Sequence, residues 1–138
     1  MMSRLSAFLH PETVQETKEV VISQRFKDKD GKVVPFTIKA LSQAENEAIS
    51  KRCQQKSRGK DEIDNIEYTQ RIVVAGTVEP NFADKELLAA FGPSPETPLL
   101  NPLELPGIML RAGEYARLVK EIMELSGFDE DLAALAKN

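Results

Sequence analysis

The sequence predicts an α+β domain, with an N-terminal β-hairpin followed by four to five mainly short helices. Three observations carry that prediction. Apolar residues alternate on both sides of an Asp30-Gly31 turn, a Ser-x-x-Glu pair stands where the alternation stops, and apolar residues recur at helical spacing near the C-terminus. At 138 residues the chain fits one domain, assigned to residues 18–138 behind a flexible lead-in at 1–17. Hydrophobic residues are 41% of the chain and charged residues 29%, a balance that folds rather than stays disordered. Aromatics are 6% and Trp is absent, so the core has to lean on Leu, Ile, Val and Ala, with Phe as its largest pieces.

The lead-in is polar except for Leu5, Phe8 and Leu9, a cluster able to dock or fray. Residues 18–26 place Val20, Ile22 and Phe26 on one side of a strand, and 32–39 place Val34, Phe36 and Ile38 on one side of its return. Asp30-Gly31 turns the chain between them, because Gly accepts positive φ at low cost. Pro35 cannot donate to a ladder, so the return strand is expected at an edge or with that position pointing outward.

Ser42 and Glu45 form a capping box that starts a helix running to about Gln55, with Ala44, Ala48, Ile49 and Cys53 as its inner stripe. The stretch KSRGKDE reads as a solvated loop. A second helix is expected over roughly 62–76, with Ile66, Ile72, Val73 and Ala75, ended by Glu79-Pro80. Asp84 can cap a short helix over 85–91, closed by Gly92. Residues 92–107 hold five prolines and are excluded from regular helix, yet four leucines there predict packing rather than free linkage. Tyr115, Leu118, Val119, Ile122 and Met123 define a helix over 112–126, with Gly127 just past its end. Acids at 129–131 suit the start of a final turn holding Leu132 and Leu135.

Chemistry-bearing residues are sparse. His10 is the sole histidine and Cys53 the sole cysteine, so no metal ligand set converges and no internal disulfide forms. Cys53 lies on an inner stripe and reads as a small buried side chain, not a nucleophile. DKDG resembles the start of a calcium loop, but the twelfth position from Asp28 is Lys39 rather than Glu. No phosphate-binding glycine pattern follows a strand. Residues 51–60 carry five basic residues and no acid, without the aromatics a nucleic-acid site interleaves, so a solvated helix end is the better reading. Net charge is −4, and residues 70–138 hold 6 basic against 11 acidic residues, which disfavours attraction to a phosphate backbone. No basic start followed by an apolar core marks a signal peptide, and no apolar run spans a membrane. A reducing compartment is expected, and nothing in the residues points to an enzyme or a cofactor.

The order of elements carries a resemblance. VVISQRFKDKDGKVVPFTIKALSQAENEAISKRC, then RIVVAGTVEPNFADKELLAAFG, then MLRAGEYARLVKEIMELSGF together resemble the XkdN-like tail assembly chaperones of phages and defective prophages in Gram-positive bacteria. The likeness spans about residues 5–128 and rests on the order and spacing of short motifs such as Val78-Glu79-Pro80 and Gly113-Glu114-Tyr115. The sequence departs from the family's pattern in its proline-rich 92–107.

The resemblance implies a non-enzymatic chaperone in the cytoplasm of the bacterial host, whose partner is the tape-measure protein. Tail chaperones of this general kind also include ones that contact tail tube protein through a longer, frameshifted form, and Ala136-Lys137-Asn138 is compatible with a slippery A-AAA-AAC run; the alternative is a polar Lys-Asn that merely ends a surface helix. Weak self-association is a further expected contact. Candidate partner-binding residues are the apolar side chains that a small domain has to spare: Leu99, Leu100, Leu103, Leu105, Leu132 and Leu135. The alternatives are a structural tail-completion component and a nucleic-acid-binding regulator.

Overall fold

The computed structural model describes residues 4–9, 17–57 and 60–128. A six-residue helix, α1 (Arg4–Leu9), lies within the stretch expected as lead-in. The expected hairpin follows. β1 (Thr17–Val20) pairs antiparallel with β2 (Phe36–Lys39), Val20 facing Phe36. The ladder is interrupted between them, and Lys27 pairs again with Val33 on the far side of Pro35. The missing N–H of Pro35 falls in the interruption, where it costs no ladder bond. Ile22 is still fully buried, and Phe26 packs on Phe36 with ring centroids 5.6 Å apart. The apolar alternation therefore marks inward-facing residues correctly over a shorter strand than 18–26. Val34, expected beside Phe36 and Ile38, is exposed instead.

The turn at 28–31 is built by Asp28. Its Oδ1 accepts from the amides of Asp30 at 2.9 Å and Lys32 at 3.0 Å, and Gly31 takes φ +78°. A carboxylate holding its own loop is an Asx turn, the bland alternative to a calcium ligand.

A third strand, β5 (Thr77–Glu79), adds to the other side of β2, giving the order β1-β2-β5. The return strand is thus central, correcting the edge placement drawn from Pro35, which stands just outside it. β5 is three residues long and directly abuts a helix, too short for a period of two to show.

Helix α2 (Gln43–Arg52) starts at the expected box. The Ser42 amide donates to Glu45 Oε1 at 3.0 Å, and the Glu45 amide donates to Ser42 Oγ at 3.2 Å. Ile49 and Cys53 face inward, while Ala44 and Ala48 are exposed. The expected solvated loop is instead a two-stranded ribbon, β3 (Gln54–Ser57) with β4 (Lys60–Ile63), Gln54 facing Ile63. Its strands carry almost no apolar alternation, so only backbone pairing defines them. The amide of Asp64 bonds the Cys53 carbonyl at 2.9 Å and closes the ribbon's base.

Asp64 then caps α3 (Asn65–Gly76), its Oδ1 accepting from Ile66 and Glu67 amides at 3.0 and 3.1 Å. The cap starts the helix three residues later than expected. Ile72 and Val73 are fully buried, but Ile66 in the first turn is 75% exposed. Asp84 caps α4 (Lys85–Ala90) as expected. Gly92 is not a left-handed terminator. A Cβ there would stand 2.0 Å from the Thr97 carbonyl oxygen, so glycine is required for the chain to fold back on itself. A 3-10 turn (Pro102–Glu104) leads into α5 (Leu105–Met109). That short helix overturns the exclusion of helix from 92–107. Pro106 sits in its first turn, where a missing N–H is harmless.

Helix α6 (Ala112–Leu125) matches its expected span, and Gly127 beyond it takes φ +88°. It lies across the sheet with α3. Ile38 of β2, Ile72 and Val73 of α3, and Leu118 and Ile122 of α6 are all fully buried in one cluster with Ile22, Cys53 and Leu105. The interrupted hairpin is tied to α6 by polar contacts. Arg25 Nε donates to Glu114 Oε2 at 3.1 Å, Arg117 Nη1 to the Ile22 carbonyl at 3.0 Å, and Lys18 Nζ to Glu121 at 3.3 Å. Glu114 also accepts the Arg111 amide at 2.8 Å, so one carboxylate both starts α6 and anchors the hairpin. The Arg25 guanidinium, the Ser23 hydroxyl and the Arg111 amide hold its pKa down at about 2.

Candidate interaction surface

The proline-rich segment divides its leucines between core and solvent. Leu105 is fully buried and belongs to the central cluster, so it is not a spare apolar side chain: it is the first residue of α5, followed there by the buried Pro106. Leu99 is half-buried against the core, and its amide donates to the Leu88 carbonyl at 2.9 Å, pinning the segment to α4. Leu103 is half-buried, with its amide held by Asn101 Oδ1 at 3.1 Å. Leu100 alone of the four projects freely, at 92% exposure. Leu132 and Leu135 lie outside the described residues.

Other apolar surface was weighted less in the sequence. On α1, Leu5, Phe8 and Leu9 follow an i, i+3, i+4 spacing that puts them on one face, and none is buried; Phe8 is 81% exposed. A second apolar surface is concave. Phe26, Val34, Pro35, Phe36, Pro80 and Met109 line a cleft of about 160 Å³ between the hairpin and the turn after β5, with Glu79 at its rim. Its far wall comes from Pro80 and Met109, which no local pattern links to the hairpin.

Cys53 is fully buried, and burial pushes its thiol pKa up, with Glu67 acting in the same direction, which disfavours the thiolate. Tyr68 donates to Asn46 and ties α3 to α2. Among the described residues no group of three or more His, Cys, Asp and Glu could hold a metal ion. No helix among them is long and apolar enough to cross a membrane.

These features define a small α+β domain that presents apolar contact surfaces. Residues 5–137 match the family described as phage XkdN-like tail assembly chaperone protein, and the chain belongs to that family. It is 38% identical over 144 residues to the uncharacterized protein YqbN of Bacillus subtilis (strain 168), covering 97% of this chain and 93% of that protein. It is 32% identical, over the same shares of both chains, to the phage-like element PBSX protein XkdN of the same organism. The crystal structure of the protein YqbN superposes with a TM-score of 0.71 at 32% identity, covering 94% of this chain and all of that one.

Proposed function

We infer that this chain binds the tape-measure protein of a long phage tail, keeps it soluble in the host cytoplasm, and leaves as tube subunits enclose it. Membership of the tail assembly chaperone family over residues 5–137 is the observation that carries this reading. The physical demand is specific. A very long helical client exposes an apolar stripe until tube protein covers it. A chaperone for it needs exposed apolar contacts of modest individual strength, repeated along the client, so that many copies bind together and each can still be released. Leu100 of the proline-rich segment is such a contact, with Leu103 beside it half-accessible. The role is non-enzymatic, and a longer frameshifted form supplies contact with tube protein.

Co-expression with the cognate tape-measure protein tests this reading. The soluble yield of that protein should rise several-fold over expression alone. An unchanged yield with both proteins well expressed overturns it.

A further inference from the structure

We propose that the chain pairs with a second copy of itself by reciprocal docking of α1, the Phe8 ring of each copy entering the apolar cleft of the other. Among the described residues α1 exposes an apolar face and the hairpin bounds an open apolar cleft. The cleft bounded by Phe26, Val34, Phe36, Pro80 and Met109 encloses about 160 Å³, room for one aromatic ring. Phe8 is the most exposed aromatic of the described residues, and Leu5 and Leu9 flank it on the same helical face, ready to lie on the rim formed by Val34 and Pro35.

Charge fixes the orientation. Arg4 stands one turn before Phe8, an i, i+4 spacing that puts both on one face. Glu79 is the one charged residue of the cleft lining and is exposed, and neither Arg4 nor Glu79 has an ion pair among the described residues. With Phe8 in the cleft, Arg4 falls beside a rim carboxylate.

The area suits a small, reversible pairing. Phe8 at its 81% exposure offers on the order of 150 Å², and Leu5 and Leu9 about 100 Å² each. Covering all three side chains removes about 350 Å² per helix, about 700 Å² for two symmetric sites, to which the cleft adds its small exposed lining, the size of a reversible contact. The contact is isologous, so it closes at two copies and does not propagate. It goes beyond the client-binding reading and is tested on the purified chain alone.

Two singly substituted chains, Arg4→Cys and Glu79→Cys, are purified, mixed and oxidised; native Cys53 is fully buried and does not compete. A disulfide-linked pair of chains should form in the mixture at least 10-fold more than in either variant alone. Adding Phe8→Asp to the Arg4→Cys chain should reduce the cross-link at least 10-fold, and Phe8→Asp alone should shift the mass by light scattering from two chains to one. Phe8 is exposed, so this variant folds. Absence of the cross-link in the mixture overturns the proposal. So does a linkage within one chain when Arg4→Cys and Glu79→Cys are combined and oxidised at high dilution, which would place α1 on its own cleft.

Discussion

Replacing Gly76 with alanine probes how closely α3 approaches α6. Gly76 is the last residue of α3 and is buried. A Cβ built there would lie 2.6 Å from Ile122 Cγ2, 3.0 Å from Cδ1 and 3.2 Å from Cγ1. Ile122 is fully buried in the middle of α6, and a β-branched side chain in a helix has essentially one χ1 available. The clash cannot be relieved by rotation and has to move the helix. Overpacking of this kind costs about 1–3 kcal/mol, and the lower unfolded-state entropy of alanine returns about 0.4–1 kcal/mol. The net expectation is about 1–2 kcal/mol of destabilisation, a fall in Tm of roughly 4–8 °C for a chain of this length. Urea titration of the four chains of a double-mutant cycle with Ile122→Ala isolates the contact. In the Ile122→Ala background, Gly76→Ala should cost less than about 0.3 kcal/mol, a coupling of about 1 kcal/mol or more. Equal cost in both backgrounds, or a stabilised Gly76→Ala chain, would refute the packing argument.

Other substitutions read other joints of the fold. Gly92→Ala puts a Cβ 2.0 Å from the Thr97 carbonyl, so the 92–97 turn should open and proteolytic cleavage in that turn should accelerate at least 10-fold. Leu105→Ala should cost about 2–5 kcal/mol by denaturant titration, whereas Leu100→Ser, 92% exposed, should stay within about 0.5 kcal/mol. Glu114, held at about 2 in the fold against an ordinary 4.5, stabilises the fold fully above the unfolded value and loses that contribution as pH falls from about 4.5 toward 2. Thermal melts of Glu114→Gln between pH 7 and 2 should therefore show a flatter decline on acidification than the parent chain.

The sequence signals that succeeded share a feature: the side chain and the backbone it organises lie within four residues of each other. The Ser42–Glu45 box, the Asp84 cap, the Asp28–Gly31 turn and the Gly127 terminator are all of this kind, and all appear where the residues place them. The β3–β4 ribbon was hidden because its sequence shows no apolar alternation, Ile63 being its one large apolar residue. β5 was hidden because its pairing with β2 joins residues far apart in the chain, Thr37 to Glu79 and Ile38 to Thr77. The leucines of 92–107 were legible as a group but not individually. Leu105 opens α5 and lies in the core, whereas Leu100 precedes the 3-10 turn and stays outside. The candidate surface suffered most, since a cleft joining Val34 to Pro80 and Met109 is a property of the tertiary fold.

In the proposed role this chain holds the tape-measure protein and departs when tube protein polymerises. The direct measurement is sedimentation of a purified complex of the two, before and after adding cognate tube protein. Before addition, the chain should co-sediment with the tape-measure protein in many copies. Afterwards the tape-measure protein should pellet inside tubes, and the chain should remain in the supernatant. A chain that never co-sediments, or one that pellets with finished tubes at constant stoichiometry, would contradict the account.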